Sequence, residues 1–174
     1  MRINILRILI LLFCFQINAQ NTFKKGYYIN NSGDTIAGYI KDYNWNYNPR
    51  EILFKSYETS SEKTLLPEDI LSFEIHDIVK YISANVKVDT TGYKSSTINK
   101  NRSPSFTRRT HFLKVLEEGQ ANLYQYRNQD FVRYFYNTEK IYLQPLIYRK
   151  YLDKNLKQKE NKDFRQQLLN SLKC

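Results

Sequence analysis

The sequence predicts a mostly β domain: an antiparallel hairpin meander, as a rolled sheet or partly open barrel, followed by a C-terminal helix or two helical pieces. Three observations predict it. Short stretches of alternating apolar and polar residues recur between Thr22 and Leu146, separated by clusters of Asn, Asp and Gly. Fifteen Tyr and ten Phe bring aromatics to 15% of the chain, and these side chains favour pleated, half-buried surfaces. From Tyr148 onward the apolar period lengthens to four, which is helical spacing.

Thr22–Asp42 reads as a hairpin. Tyr27 and Ile29, then Ile36 and Ile40, alternate with polar neighbours around the turn Asn30-Asn31-Ser32-Gly33-Asp34, where Gly33 supplies a positive φ. Gly26 and Gly38 are places where a ring or another backbone can approach closely. Tyr43–Arg50 is a loop by its Asn and Pro content. Glu51–Ser56 is a short strand around Ile52 and Phe54. Leu65–Asp69 holds Pro67 and reads as a tight turn or one helical turn. In Ile70–Ile75, Leu71, Phe73 and Ile75 fall on one side, and Val79–Val88 continues as a strand. Thr90–Arg109, rich in Ser, Thr, Asn, Lys and Arg with Pro104, reads as a long, mobile, basic loop. A turn at Gly119 pairs Phe112–Leu116 with Leu123–Tyr126; Leu113, Leu116 and Glu117 also fit a helix over Phe112–Glu118, and the glycine and the aromatic strand after it favour the hairpin. Asn128-Gln129-Asp130 and Asn137–Lys140 then separate the strands Phe131–Tyr136 and Ile141–Leu146. Tyr148, Leu152 and Leu156, then Phe164, Leu168 and Leu172, predict two helical pieces that break near Gln158–Asn161. The second pattern is unfinished at Cys174, as in a fragment of a longer chain.

The opening residues give an address. Arg2 and Arg7 precede the apolar run Ile8–Phe15, and Ile17-Asn18-Ala19 stands before Gln20. This is the layout of a secretory signal peptide cut between Ala19 and Gln20. Its apolar run of roughly 8–10 residues is about half of what a membrane-spanning helix needs. The expected organisation is a signal peptide over 1–19, a β domain over 20–147 with its basic loop at about 90–110, and a helical tail over 148–174. The expected destination is the periplasm, the outer membrane or the medium. Cys14 is disfavoured as a lipid-anchored residue by the bulky Leu12-Phe13 before it. Once the leader is removed, Cys174 is the one thiol in the chain, so no internal disulfide forms and the fold rests on packing.

Charge is uneven. Asn21–Tyr93 carries net −2 and Lys94–Cys174 net +10. Lys94, Lys100, Arg102, Arg108, Arg109 and Lys114 fall within one stretch without an acid, and Tyr93 and Phe106 add rings. This mix suits a polyanion. Export directs the expectation to an anionic envelope lipid or glycan rather than to nucleic acid.

The segments Gly26–Ile40, Asn48–Phe54, Pro67-Glu68-Asp69-Ile70 with Phe73, Phe112–Gly119 and Leu123–Tyr126 resemble uncharacterised Sec-exported proteins of Bacteroidota over roughly Gly26–Tyr126. The resemblance implies export and a longer helical region after the β part. It brings no catalytic or ligand-binding residue with it.

Catalytic and metal patterns are sparse. His76 and His111 are the two histidines. His76-Asp77 with Glu74 makes at most half a metal site, and a strand-end His facing solvent is the simpler reading. There is no Gly-x-Ser-x-Gly elbow and no Gly-rich phosphate loop. Glu68-Asp69 and Glu117-Glu118 are adjacent in sequence, and neighbours on a strand point to opposite faces. Tyr124, Tyr126, Tyr134, Phe135, Tyr136 and Tyr142 form either a sugar-stacking face or ordinary cross-strand aromatic pairs. The expectation is a non-enzymatic, envelope-associated binding or scaffolding module without cofactor or metal. The alternatives are an enzyme with a site around Glu74, His76 and His111, and a polyanion or nucleic-acid binder working through the basic loop.

Overall fold

The computed structural model describes residues 22–92 and 98–171; the leader with its Ala19–Gln20 junction, Lys94 and Cys174 lie outside them. The strands are β1 (Phe23–Asn30), β2 (Thr35–Lys41), β3 (Ile52–Lys55), β4 (Lys63–Leu65), β5 (Ile70–Ile75), β6 (Val79–Asp89), β7 (Phe106–Glu117), β8 (Ala121–Arg127), β9 (Val132–Thr138), β10 (Ile141–Pro145), β11 (Arg149–Leu152) and β12 (Gln158–Asn161), followed by the helix α1 (Phe164–Ser171). Ten strands make one antiparallel sheet in the order β10-β9-β8-β7-β6-β5-β1-β2-β3-β4, which is not closed; β11 and β12 pair separately. The mostly β class with a C-terminal helix is as the sequence predicts.

The sheet carries two cores on opposite faces. Tyr81 of β6 and Phe112 of β7 belong to a cluster with Tyr28, Ile40, Ile52, Phe54, Leu65, Ile70, Phe73 and Ile75. Val86, Val88 and Leu113 from the same two strands belong to another cluster, with Tyr124, Phe131 and Phe135. Successive side chains on a strand point to opposite faces, so the sheet curls one way over β1–β5 and the other way over β8–β10. The second curl brings β10 back toward β6. Long strands β6 and β7, paired from Tyr81↔Lys114 to Asp89↔Phe106, are shared by both rolls.

The first roll closes tightly for local reasons. Asn30 organises the β1–β2 turn by accepting the Ser32 and Asp34 N–H groups, both at 2.9 Å, and Gly33 takes φ +90°. Gly26 and Gly38 pair across the strands. A Cβ on Gly38 would lie 2.4 Å from the Phe54 ring, and one on Gly26 would lie 2.2 Å from the Glu74 carbonyl. The loop between β2 and β3 plugs the roll with Trp45, which stands edge-on to Phe73 at 5.9 Å and to Tyr81 at 6.0 Å. Phe73 stacks on Tyr81 at 4.9 Å and meets Phe112 edge-on at 5.0 Å. Burial pushes the Tyr81 hydroxyl up to about 12.

Three expectations are corrected. Leu71 does not share a side with Phe73 and Ile75: the register steps from Ile29↔Ser72 to Asn30↔Ile70, so Leu71 is the extra residue of a β-bulge and turns outward, 47% exposed. Within the expected helical tail over 148–174, residues 149–161 form the hairpin β11–β12, with Leu152 opposite Gln158. The side chain of Asp153 accepts the N–H groups of Asn155 and Lys157, both at 2.9 Å, and Leu156 takes φ +59°. That local bonding makes a turn where the four-residue spacing of Tyr148, Leu152 and Leu156 reads as a helix. The loop of 90–110 is also shorter than expected, because β7 begins at Phe106. Its second half is tied down: Leu152 N–H donates to the Asn99 carbonyl at 2.9 Å, and Arg102 pairs with Asp163 at 3.2 Å.

Candidate functional site

The site lies where the two rolls part. β7 and β8 pair at Lys114↔Gln125, Val115↔Tyr124 and Glu117↔Leu123, and beyond Lys114 they splay. Asn48 fills the start of the gap. Its N–H donates to the Arg127 carbonyl at 2.9 Å, and its Oδ1 accepts the Arg127 N–H at 2.8 Å. Its Nδ2 donates to the carbonyls of Phe112 at 2.7 Å and Gln125 at 2.8 Å. Pro49 follows, buried, and a proline disfavours helical backbone in the residue before it.

Past Asn48 the gap opens into a cleft of about 950 Å³, whose walls include Tyr47, Arg50, Glu68, Arg109, His111 and Tyr126. Asn85, Asn128 and Asp130 complete its polar rim. His111 is half-buried with its ring 4.5 Å from that of Tyr126. Burial, then the positive charges of Arg109 and Arg50, lower its pKa, with Glu68 opposing. Burial likewise raises the Tyr126 hydroxyl. Neither Arg50 nor Arg109 forms an ion pair among the described residues. The cleft therefore offers two guanidinium groups outside any ion pair among the described residues, two carboxylates, two tyrosine rings and side-chain amides. Guanidinium groups, tyrosine rings and amides of this kind are able to engage a ligand by charge, stacking and hydrogen bonds.

The cations singled out in the sequence do not form one surface. Lys100 is exposed in the loop, and Arg102 is engaged by Asp163. Arg108 donates to the Asn85 side chain at 3.2 Å. Arg109 lines the cleft. Lys114 sits between Tyr81 and Gln125 in the ladder, on the face opposite Arg109. The aromatic set is also divided: Tyr124 and Phe135 are paired on one face, Tyr134 and Tyr136 lie on the other, and Tyr142 is 95% exposed.

His76 and His111 are not brought together. Ile75, just before His76, is opposite Val79, whereas His111 is opposite Ala84. Five residues along β6 separate them by roughly 16 Å. His76 is exposed at a strand end, 3.9 Å from Glu74, whose other oxygen accepts the Tyr27 hydroxyl at 2.8 Å. No group of three or more His, Cys, Asp or Glu among the described residues is arranged to hold a metal ion. Asp69 caps its turn by accepting the Leu66 N–H at 2.8 Å, and Glu118 pairs with Lys80 at 2.8 Å.

Tyr47, Asn48 and Arg50 were readable in sequence only as a polar loop. The signal in hindsight is Asn-Pro-Arg flanked by Tyr, a segment whose Pro excludes helix and whose neighbours suit a surface. A second cavity, about 730 Å³ and apolar, runs between β8–β9 and α1 and is lined by Leu123, Val132, Tyr134, Phe164 and Leu168. The helix is fastened beside it by Gln167, which accepts the Ile147 N–H at 2.8 Å and donates to the Pro145 carbonyl at 3.0 Å. No helix of the described residues is long and apolar enough to cross a membrane. No protein-family model, no curated protein and no solved structure matches this chain.

Proposed function

We propose that this protein is an exported, non-enzymatic binding module of the cell envelope whose recognition site is the cleft between the two rolls, and that it takes an anionic partner there. The observation that carries the reading is the pair Arg50 and Arg109, which form no ion pair among the described residues and line one 950 Å³ cleft with Tyr47, His111 and Tyr126, although Glu68 and Asp130 also line it. The leader over Met1–Ala19 and the likeness of Gly26–Tyr126 to exported Bacteroidota proteins support export. The separation of His76 from His111 removes the shared cleft that the enzymatic alternative requires.

The test is retention of the native protein on an anionic dextran sulfate matrix, with N-terminal sequencing to fix the cleavage point. Retention is expected at low salt and lost as salt rises. The Arg50→Gln/Arg109→Gln double variant is expected to elute well before the charge-matched Lys140→Gln/Lys157→Gln variant, whose lysines are exposed elsewhere. Identical elution of the two doubles, or retention indifferent to salt, refutes the cleft as the anion site. A native chain beginning at Met1 refutes export.

A further inference from the structure

We infer that the open edge of β7 accepts an extended, acidic segment of a partner protein as an added strand. This rests on the cleft being the recognition site and names the class of partner it takes.

The direction of the main chain carries the argument. The Phe112 carbonyl accepts from Asn48 and so points toward β8. In an antiparallel strand, the N–H and C=O of one residue point the same way and alternate with those of the next. Arg108 and Thr110 therefore turn their N–H and C=O groups toward the cleft, while Thr107, Arg109 and His111 turn theirs toward β6. On the cleft side these groups of Arg108 and Thr110 have no main-chain partner among the described residues. An unpaired edge of this kind is a template for strand addition.

The outer edges of the sheet are blunted in ways this one is not. β4 has three residues, and β10 ends in Pro145. At β7 the protein already occupies the start of this edge with its own chain: the Asn48 side-chain amide donates to the Phe112 carbonyl of β7 and the Gln125 carbonyl of β8, and its Oδ1 accepts the Arg127 N–H. An added segment would continue that line from Thr110 toward Phe106.

Charge selects the occupant. Arg108 and Arg109 project to opposite faces of the edge, and Arg50 stands across the cleft. Glu68 and Asp130 line the cleft with Arg50 and Arg109, so the edge is net positive by one through Arg108, which donates to the Asn85 side chain. An acidic residue on the added strand would meet a guanidinium on whichever face it pointed to. A second copy of this chain, with its formal charge of +10, is the poorer match.

The probe is a capped hexapeptide of alternating Asp and Val, titrated into the full chain and followed by amide NMR and hydrogen exchange. Binding is expected to slow exchange of the Arg108 and Thr110 amides at least tenfold. N-methylating alternate peptide amides, which removes the donors but no charge, is expected to abolish it. Arg108→Pro deletes the cleft-facing N–H without touching the ladder to β6, and is expected to weaken binding at least tenfold, against a few-fold for Arg108→Gln. Should Arg108→Pro fail to fold, the N-methylated peptide on the unaltered protein decides. Equal binding of the methylated peptide, protection at β4 or β10 instead, or no binding overturns the inference. If the peptide fails while Arg50 and Arg109 still govern retention on the anionic matrix, the strand-addition inference falls and the anionic cleft stands. If neither holds, both fall.

Discussion

The two rolls are built from the same ladder but are held by different physics. The first, β1–β5, packs rings on branched aliphatics: Ile40, Ile52, Phe73 and Ile75 are fully buried, and no charged side chain is buried among the described residues of this half. The second buries Asp89, Arg133 and Arg149. Asp89 accepts the N–H groups of Ser105 at 3.1 Å and Thr91 at 3.2 Å, and its carboxylate lies 3.6 Å from each arginine. Arg133 donates to the Asp89 carbonyl at 2.8 Å and to the Thr91 carbonyl, with Phe131 beneath it at 4.4 Å. Arg149 reaches Asn99 at 3.0 Å. An apolar core fixes a shape through volume, whereas a buried ionic cluster fixes where loops attach. The polar cluster therefore stands at the end of β6, where the irregular segments before β7 and around β11 must converge. The price is sensitivity, because each of its members depends on the others.

The largest effects should come from opposite ends of that contrast. Phe73→Ala is expected to cost about 3–5 kcal/mol by opening a cavity under Trp45, Tyr81 and Phe112. Asp89→Asn is expected to cost a similar ~3–5 kcal/mol, by leaving two buried guanidinium groups without their counter-charge. Urea unfolding checks both. A sharper separation comes from hydrogen exchange: Asp89→Asn should loosen β9 and β11 before β1 and β2, and uniform loosening would break the two-roll description.

Asn48→Ala tests the seam. It leaves the Phe112 carbonyl and the Arg127 N–H without this partner and takes the second donor from the Gln125 carbonyl, which stays in the ladder with Lys114, and is expected to cost about 2–4 kcal/mol. The same variant should raise exchange at Arg127. A loss below about 0.5 kcal/mol would show that water replaces the side chain there. Gly38→Ala is expected to cost about 1–3 kcal/mol, since its Cβ meets the Phe54 ring and the Lys55 carbonyl at 2.3 Å.

The smallest effect is pH-dependent. His111 has its folded-state pKa lowered by burial and by Arg109 and Arg50. As pH falls past the ordinary value of 6.5, the unfolded chain takes up the proton first, so stability drops as pH falls through that window. The stability of the native chain minus that of His111→Phe, measured by urea unfolding at two pH values, should fall at the lower pH. A difference that stays constant or grows would show that burial and the two arginines do not hold the His111 pKa down.

Most of the strand order was legible because it rests on local rules. The Asn30–Asp34 turn, the Gly119 turn and the alternation around Phe73 each state their own geometry. The tail was misread because a four-residue apolar spacing occurs in both a helix and a hairpin, and only the Asp153 side chain bonding its own backbone separates them. The bulge at Leu71 was invisible because it is a relation between β1 and β5. The cleft was half visible: Arg109, His111 and Tyr126 were singled out for other reasons, and Arg50 and Asn48 were not, since nothing in a loop's composition says which strands it will lie between.

Sequence alone determined the antiparallel β class, the uneven charge and the close-approach role of Gly26 and Gly38. These follow from side-chain chemistry acting over a few residues. Tertiary structure decided that the sheet turns its core from one face to the other across β6 and β7, that Asn48 props β7 apart from β8, and that two arginines 59 positions apart in the chain share one cleft. Those outcomes depend on where distant segments are brought by burial and by main-chain bonding, and no local pattern encodes the meeting point.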